Sequence, residues 1–311
     1  MTRIIAILTL VAGIACRSHD TPSTPTTVAG PTSAETGAAA RAAQPAPSDP
    51  LPHPLFWSIE KDGKTTYLLG TMHVGIDAQA RLPAIVWAKF HAATTFAMEA
   101  NLDDPEAAAM IKPTGVSLHD QLGEVYWKKL VDALGPGMAR AFDHLPPLVP
   151  ATALSTRGLP TTDPMDKTLA ARAAAEHKQL IYLEQAKFQI ALLAKWMDLK
   201  ALKVALDELP SNEQHARDTI AAYVSGDEAG LLAIRDGERE DALHHGYTEA
   251  EYDQEMTELL FNRNASWIDA IDRLHTVGGG FVAVGALHLL GAHSVLELLA
   301  QRGYRITRIT P

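Results

Sequence analysis

Cysteine is nearly missing from this chain: Cys16 is the only one in 311 residues. That excludes a disulfide scaffold and leaves no thiol nucleophile in the folded part. Basic charge is also short. Lys and Arg total 27 against 37 Asp and Glu, a formal net charge of −10, and the cations are scattered rather than gathered on one face. Nucleic-acid binding, which needs such a face, is therefore not expected. No Gly-x-Ser-x-Gly elbow is present for a serine nucleophile, and no Gly-x-x-x-x-Gly-Lys loop for phosphates. Long apolar runs are lacking too. The longest, residues 4–14, is too short to span a bilayer as a mature helix.

What is present begins with that run. Arg3 supplies a positive start, and the apolar stretch leads into Gly13-Ile14-Ala15-Cys16. A lone thiol after such a stretch and small residues resembles a bacterial lipoprotein signal, with cleavage before Cys16 and lipid on that residue. Residues 1–16 are therefore expected to be a signal peptide, and the mature protein to be exported and held at an envelope membrane. Residues 17–50 are mostly Thr, Ser, Pro, Ala and Gly. They carry too little apolar surface to offset their ordering entropy, and read as a tether. Residues 51–311 are enough for one large domain with a full core.

Within that domain one pattern occurs twice. Tyr67-Leu-Leu-Gly70-Thr-Met-His73-Val-Gly75 and Phe281-Val-Ala-Val-Gly285-Ala-Leu-His288-Leu-Leu-Gly291 each run a β-prone segment into a glycine and, three residues on, a histidine. Two histidines delivered by equivalent strand ends can converge on one point, and convergent neutral imidazoles are a common transition-metal site. The glycines let the backbone turn at the sheet edge and bring loops close.

The remaining pattern predicts an α/β domain: a mixed sheet with flanking helices and a large helical insertion between the two Gly-x-x-His strand units. Strands 56–60 and 65–69 flank Lys61-Asp62-Gly63-Lys64, a hairpin signal. A helix over 83–93 and a strand over 94–98 complete a βαβ unit. Helices are predicted over 126–134, 147–155, 165–177, 188–199, 202–209, 211–224 and 229–241, with Ser211 as an N-cap after Pro210. A strand at 179–183 interrupts them. Helix 265–274, strand 281–284, helix 294–302 and strand 304–309 close the chain.

Carboxylates stand at the other strand ends. Glu99 follows Phe96-Ala97-Met98, placed to be a third metal ligand or the base that activates a water. Glu184 holds the same position after its own strand. Arg263, between two asparagines at the start of a helix, is placed to hold a carboxylate or steady an oxyanion. Of the other histidines, His293 is near enough to His288 to support it indirectly, and adjacent His244 and His245 diverge on a helix.

Together these residues resemble the TraB/GumN family, which includes the Tiki metalloproteases. The likeness rests on 67–75 with Leu82-Pro83, on Met98-Glu99 and Leu183-Glu184, and on the segment from Arg263-Asn264 through 281–291 to Gly303-Tyr304. The family's usual Gly-Leu-Glu-Thr segment is here Tyr182-Leu183-Glu184-Gln185. The resemblance implies a divalent metal, Mn²⁺ or Co²⁺ with Zn²⁺ as an option, on His73, His288 and Glu99. It implies Glu99, Arg263 and Glu184 as catalytic groups and a peptide or protein substrate. The alternative is a non-catalytic envelope module that binds a peptide, metal or haem at the same place.

Overall fold

Asp62 and Gly63 both adopt positive φ, 51° and 74°, the left-handed pair that a two-residue hairpin turn requires. They join β1 (Phe56–Lys61) to β2 (Lys64–Thr71) in antiparallel register, Ser58 opposite Tyr67. The computed structural model that carries these elements describes residues 49–311 apart from Leu102 and Thr161. The signal segment, Cys16 and all but the last two residues of the tether lie outside the described residues.

After β2 come α1 (Ala78–Arg81) and α2 (Ala84–Ala92), the latter led in by Pro83, and then β3 (Thr95–Met98). The chain leaves the sheet for α3 (Pro105–Met110), α4 (Leu118–Leu134), α5 (Pro136–Phe142), α6 (Leu148–Ser155) and α7 (Met165–Ala175). It returns for β4 (Gln179–Tyr182). A second helical stretch holds α8 (Ala186–Trp196), α9 (Leu199–Asp207), α10 (Leu209–Ser225), α11 (Glu228–His244) and α12 (Glu249–Met256). A π-helical turn over Thr257–Phe261 passes directly into α13 (Asn262–Val277). The chain ends with β5 (Phe281–Gly285), a 3₁₀ turn at Ala286–Leu289, α14 (Val295–Gln301) and β6 (Arg305–Arg308).

The strand order is β4-β3-β5-β2-β1-β6. The four strands β4, β3, β5 and β2 run parallel, while β1 and β6 are antiparallel to their neighbours. This is the mixed sheet expected. β2 and β3 do not lie side by side, because β5 inserts between them and pairs with both. All five residues of β5 are buried, which fits a central parallel strand and its continuous apolar sequence.

Two hydrophobic clusters divide the interior. One is centred on the sheet and draws in Met165, Tyr223, Trp267 and Ile271. The other lies within the helical stretches, around Leu118, Leu130, Leu154, Ile190 and Leu202. Leu259 packs in the second and Leu260 in the first, so the π-helical turn touches both.

Two local expectations are corrected. Ser211 does not cap a helix: α10 starts at Leu209, with Pro210 in its first turn where no backbone N–H is needed. Ser211 lies inside that turn, and its hydroxyl reaches back to Glu208. Arg263 is not at a free helix start either, because α12, the π-helical turn and α13 follow one another without a break.

Candidate functional site: a buried cluster at the carboxyl edge of the sheet

Register places the site. Leu69 pairs with Ala283, Ala283 with Met98, and Met98 with Tyr182, one row across four parallel strands. Just past that row the chain delivers His73 from β2, His288 from β5, Glu99 from β3 and Glu184 from β4. All four therefore leave the same edge, the carboxyl edge where open parallel sheets build their sites.

Close approach at this edge explains two of the glycines. A Cβ on Gly70 would stand 3.1 Å from the Ala286 backbone and 3.2 Å from Leu55, a tight fit that would press the strand end away from the second loop by a few tenths of an ångström. Gly75 has φ of 77°, and a Cβ there would meet Ile220 at 2.5 Å. Gly285 is different. Its φ of −51° is ordinary, and its backbone N–H donates to Glu99 Oε1 at 2.7 Å.

Arg263 occupies the centre. Its Nε donates to both Glu184 oxygens at 3.0 and 3.1 Å, and its Nη2 to Glu184 Oε1 at 2.5 Å and Glu99 Oε2 at 2.7 Å. Its Nη1 donates to the Leu259 carbonyl at 2.9 Å and stands 3.3 Å from His288 Nε2. The π-helical turn lets Asn262 N–H reach Thr257 O, while the guanidinium itself takes the Leu259 carbonyl. The plane rests on Trp267, 4.9 Å from the ring centroid. Arg263 is 1% exposed and Glu99 4%. Burial disfavours the charged guanidinium, yet Glu99 and Glu184 outweigh it and hold Arg263 above its ordinary range. Burial raises Glu184 despite Arg263. Gln189 Nε2 adds a donor to Glu99 Oε2 at 3.0 Å.

The two histidines are held differently. His288 Nδ1 lies 2.6 Å from Asn264 Oδ1, and Asn264 Nδ2 donates to the His293 carbonyl at 2.9 Å. With its amide so oriented, Asn264 accepts from an Nδ1–H, and Nε2 carries the lone pair that faces Arg263. Burial first, then the charges of Arg263 and His73, push the His288 pKa well below the usual imidazole value. It is a neutral ring. His293 thus contributes a carbonyl, while its ring packs on Phe261.

His73 faces a carboxylate that the sequence pattern did not single out. Its Nδ1 stands 2.5 Å from Asp166 Oδ2, and Thr71 Oγ1 donates to Asp166 Oδ1 at 2.9 Å. Burial lowers the His73 pKa, but Asp166 overcomes this and leaves it raised. For Asp166, burial is outweighed in turn by His73 and Thr71, so its pKa is lowered. His73 Nε2 is buried with no hydrogen-bond partner among the described residues. Asp166, Gln189 and Asn264 are the site residues that sequence reasoning missed as such. Asp166, in the first turn of α7 behind Pro164, reads as an ordinary acidic helix start.

Both rings have Nδ1 against an oxygen, which leaves Nε2 as the donor atom, the usual form of a histidine ligand. Glu99 Oε1 lies 3.7 Å from His288 Nε2. Two carboxylates, Glu99 and Glu184, face one arginine, and a third, Asp166, stands against His73. In donor type and charge the cluster suits a divalent cation. In spacing it is not a closed cage: among the described residues no group of three or more His, Cys, Asp or Glu stands ready to hold an ion. Arg263 Nη1 also competes for His288 Nε2.

Fold and site together define an α/β protein with a histidine–carboxylate–guanidinium cluster on the carboxyl edge of a mixed sheet. The chain belongs to the TraB/PrgY/gumN family, which it matches over residues 55–308. Curated relatives named uncharacterized protein YbaP, from Shigella flexneri and Escherichia coli (strain K12), are 27% identical over 241 and 240 residues. Each match covers 75% of this chain and 87% of the relative. No solved structure matches it.

Proposed function

We propose that the cluster is the active site of a metal-dependent hydrolase, with a peptide bond as the substrate. The observation that carries this reading is the buried, unpartnered Nε2 of His73 beside an excess of carboxylate over fixed positive charge. His73 and His288 would hold a divalent cation through Nε2, with Glu99 Oε1 as the oxygen donor. Nitrogen and carboxylate donors suit manganese, cobalt or zinc and do not select among them. Such an ion, when bound, lowers the pKa of a water and polarises a carbonyl. In place of that ligand role, Glu99 Oε1 is the acceptor for the proton of the attacking water, since Oε2 is already taken by Arg263 and Gln189. Arg263 steadies charge developing on the substrate oxygen, and Glu184 holds the guanidinium in place. Cys16 after its apolar stretch supports a lipid-anchored envelope location, and inhibition of lipoprotein processing should then leave an unprocessed precursor.

A second reading has its own support. Arg263 spends Nε and both terminal nitrogens within the cluster, as in a network that only holds structure. On that reading the protein binds a peptide, metal or haem without turnover. Metal analysis of purified protein, with hydrolysis of a peptide library before and after chelation, separates the two. The hydrolase requires turnover that chelation abolishes and that Glu99→Gln lowers by about 10²–10⁴-fold at saturating metal. Failure of metal-loaded wild type to cleave any peptide or ester would leave the binding module.

A further inference from the structure

Among the described residues one nitrogen of His73 is buried without a hydrogen-bond partner, and the contacts behind the ring decide which nitrogen that is. At 2.5 Å, Nδ1 and Asp166 Oδ2 cannot both present lone pairs, so Nδ1 carries a proton although the approach is too bent for a well-formed hydrogen bond, and in the neutral ring Nε2 is bare. Asp166 is 2% exposed, and it does not stand alone. Thr71, the last residue of β2, donates its hydroxyl to the other carboxylate oxygen. Tyr223 ties this corner to the sheet, donating to the Gly70 carbonyl at 2.7 Å. The chain Thr71 Oγ–H to Asp166 to His73 Nδ1–H thus begins on the rigid strand that also launches His73.

We propose that Asp166, oriented by Thr71, is a positioning residue that fixes the His73 ring with its proton on Nδ1 and its Nε2 lone pair free. Asp166 touches neither substrate nor ion in this role. It acts through His73, and the inference rests on the reading of His73 as a working group of the site. Thr71 makes the device directional. If Asp166 becomes Asn, the Thr71 hydroxyl still requires an acceptor, so the amide oxygen stays with Thr71 and the NH₂ turns to His73. A ring facing that NH₂ must accept at Nδ1 and carry its proton on Nε2, where it can no longer act as a ligand or base.

The test uses the full chain labelled with ¹⁵N-histidine, read by long-range proton–nitrogen correlation at alkaline pH, where the rings are neutral. Wild-type His73 is expected as the Nδ1–H form and Asp166→Asn as the Nε2–H form. Titration with Mn²⁺ alone should show affinity reduced by about 10–100-fold in Asp166→Asn. Adding Thr71→Val frees the amide to turn its oxygen toward the ring, so the double variant should regain the Nδ1–H form. Wild-type His73 protonated on Nε2 would overturn the proposal, and so would an unchanged tautomer in Asp166→Asn. A double variant left in the Nε2–H form would remove Thr71 from it. If Asp166→Asn does not fold, the wild-type spectrum still decides. Absence of peptide turnover would count against the hydrolase alone and leave the tautomer result standing.

Discussion

Arg263 shows how one side chain can hold a site together. It bridges two carboxylates inside the protein, and removing it would strand both. Arg263→Ala is therefore expected to cost about 3–5 kcal/mol of unfolding free energy, read by urea denaturation. Arg263→Lys should lose less in stability but still perturb the site, because one ammonium cannot reproduce a planar fork toward two partners. The histidines make a pH prediction in which they oppose one another. His288 has a depressed pKa in the folded state, so the unfolded chain binds the extra proton. Its contribution is complete above the unfolded value near 6.5 and is lost as pH falls below it. His73 is raised, so its contribution is present below about 6.5 and fades as pH rises through the higher folded value. An Asn264→Leu variant, which removes the His288 partner, should alter the acid limb of a stability–pH profile and leave the alkaline limb in place. If both limbs move alike, the two rings are not independent. At this scale the sequence made His73, His288, Glu99, Glu184 and Arg263 visible, because each follows a β-prone run or sits among small amides. Asp166 stayed hidden because a carboxylate in a helical first turn looks the same whether it meets solvent or a buried imidazole.

At the scale of elements, the repeated glycine motif proved to be two devices rather than one. Gly70 is there because two loops touch, whereas Gly285 adds a backbone donor for Glu99. Gly75 adds a backbone conformation that an L side chain resists. Gly75→Ala should destabilise by about 1–3 kcal/mol from the left-handed backbone, with more from the clash with Ile220. Thermal unfolding in an Ile220→Ala background would separate the two, since the truncation relieves the contact and not the dihedral angle. Full recovery in that background would show that φ carries no strain. The hairpin was legible because Asp-Gly is among the strongest turn signals. The π-helical turn before Arg263 was not, because its five residues, Thr257–Phe261, carry no signal distinct from ordinary helix. Arg263 consequently read as a residue at a helix start.

Over the whole molecule, the two hydrophobic clusters set an expectation for dynamics. Amides of α4 and α6, buried in the cluster away from the sheet, should exchange through a partial opening of lower free energy than those of β5, which follow global unfolding. Native-state hydrogen exchange in increasing denaturant reads this, and identical opening energies for the two sets would make the interior a single cooperative unit. Fold class and the helical insertion were legible, since apolar periodicity marks them over long stretches. The order of strands was not: nothing in Phe281-Val-Ala-Val-Gly285 says that it divides two strands already made. That placement reaches into biosynthesis. While a ribosome builds this chain, β1, β2 and β3 exist long before β5, and the facing edges of β2 and β3 wait unpaired until Phe281–Gly285 has been added, far downstream of Met98. A nascent or truncated chain ending before Phe281 has no central strand and no His288. The two halves of the cluster therefore cannot come together until β5 and the loop that carries His288 have been made.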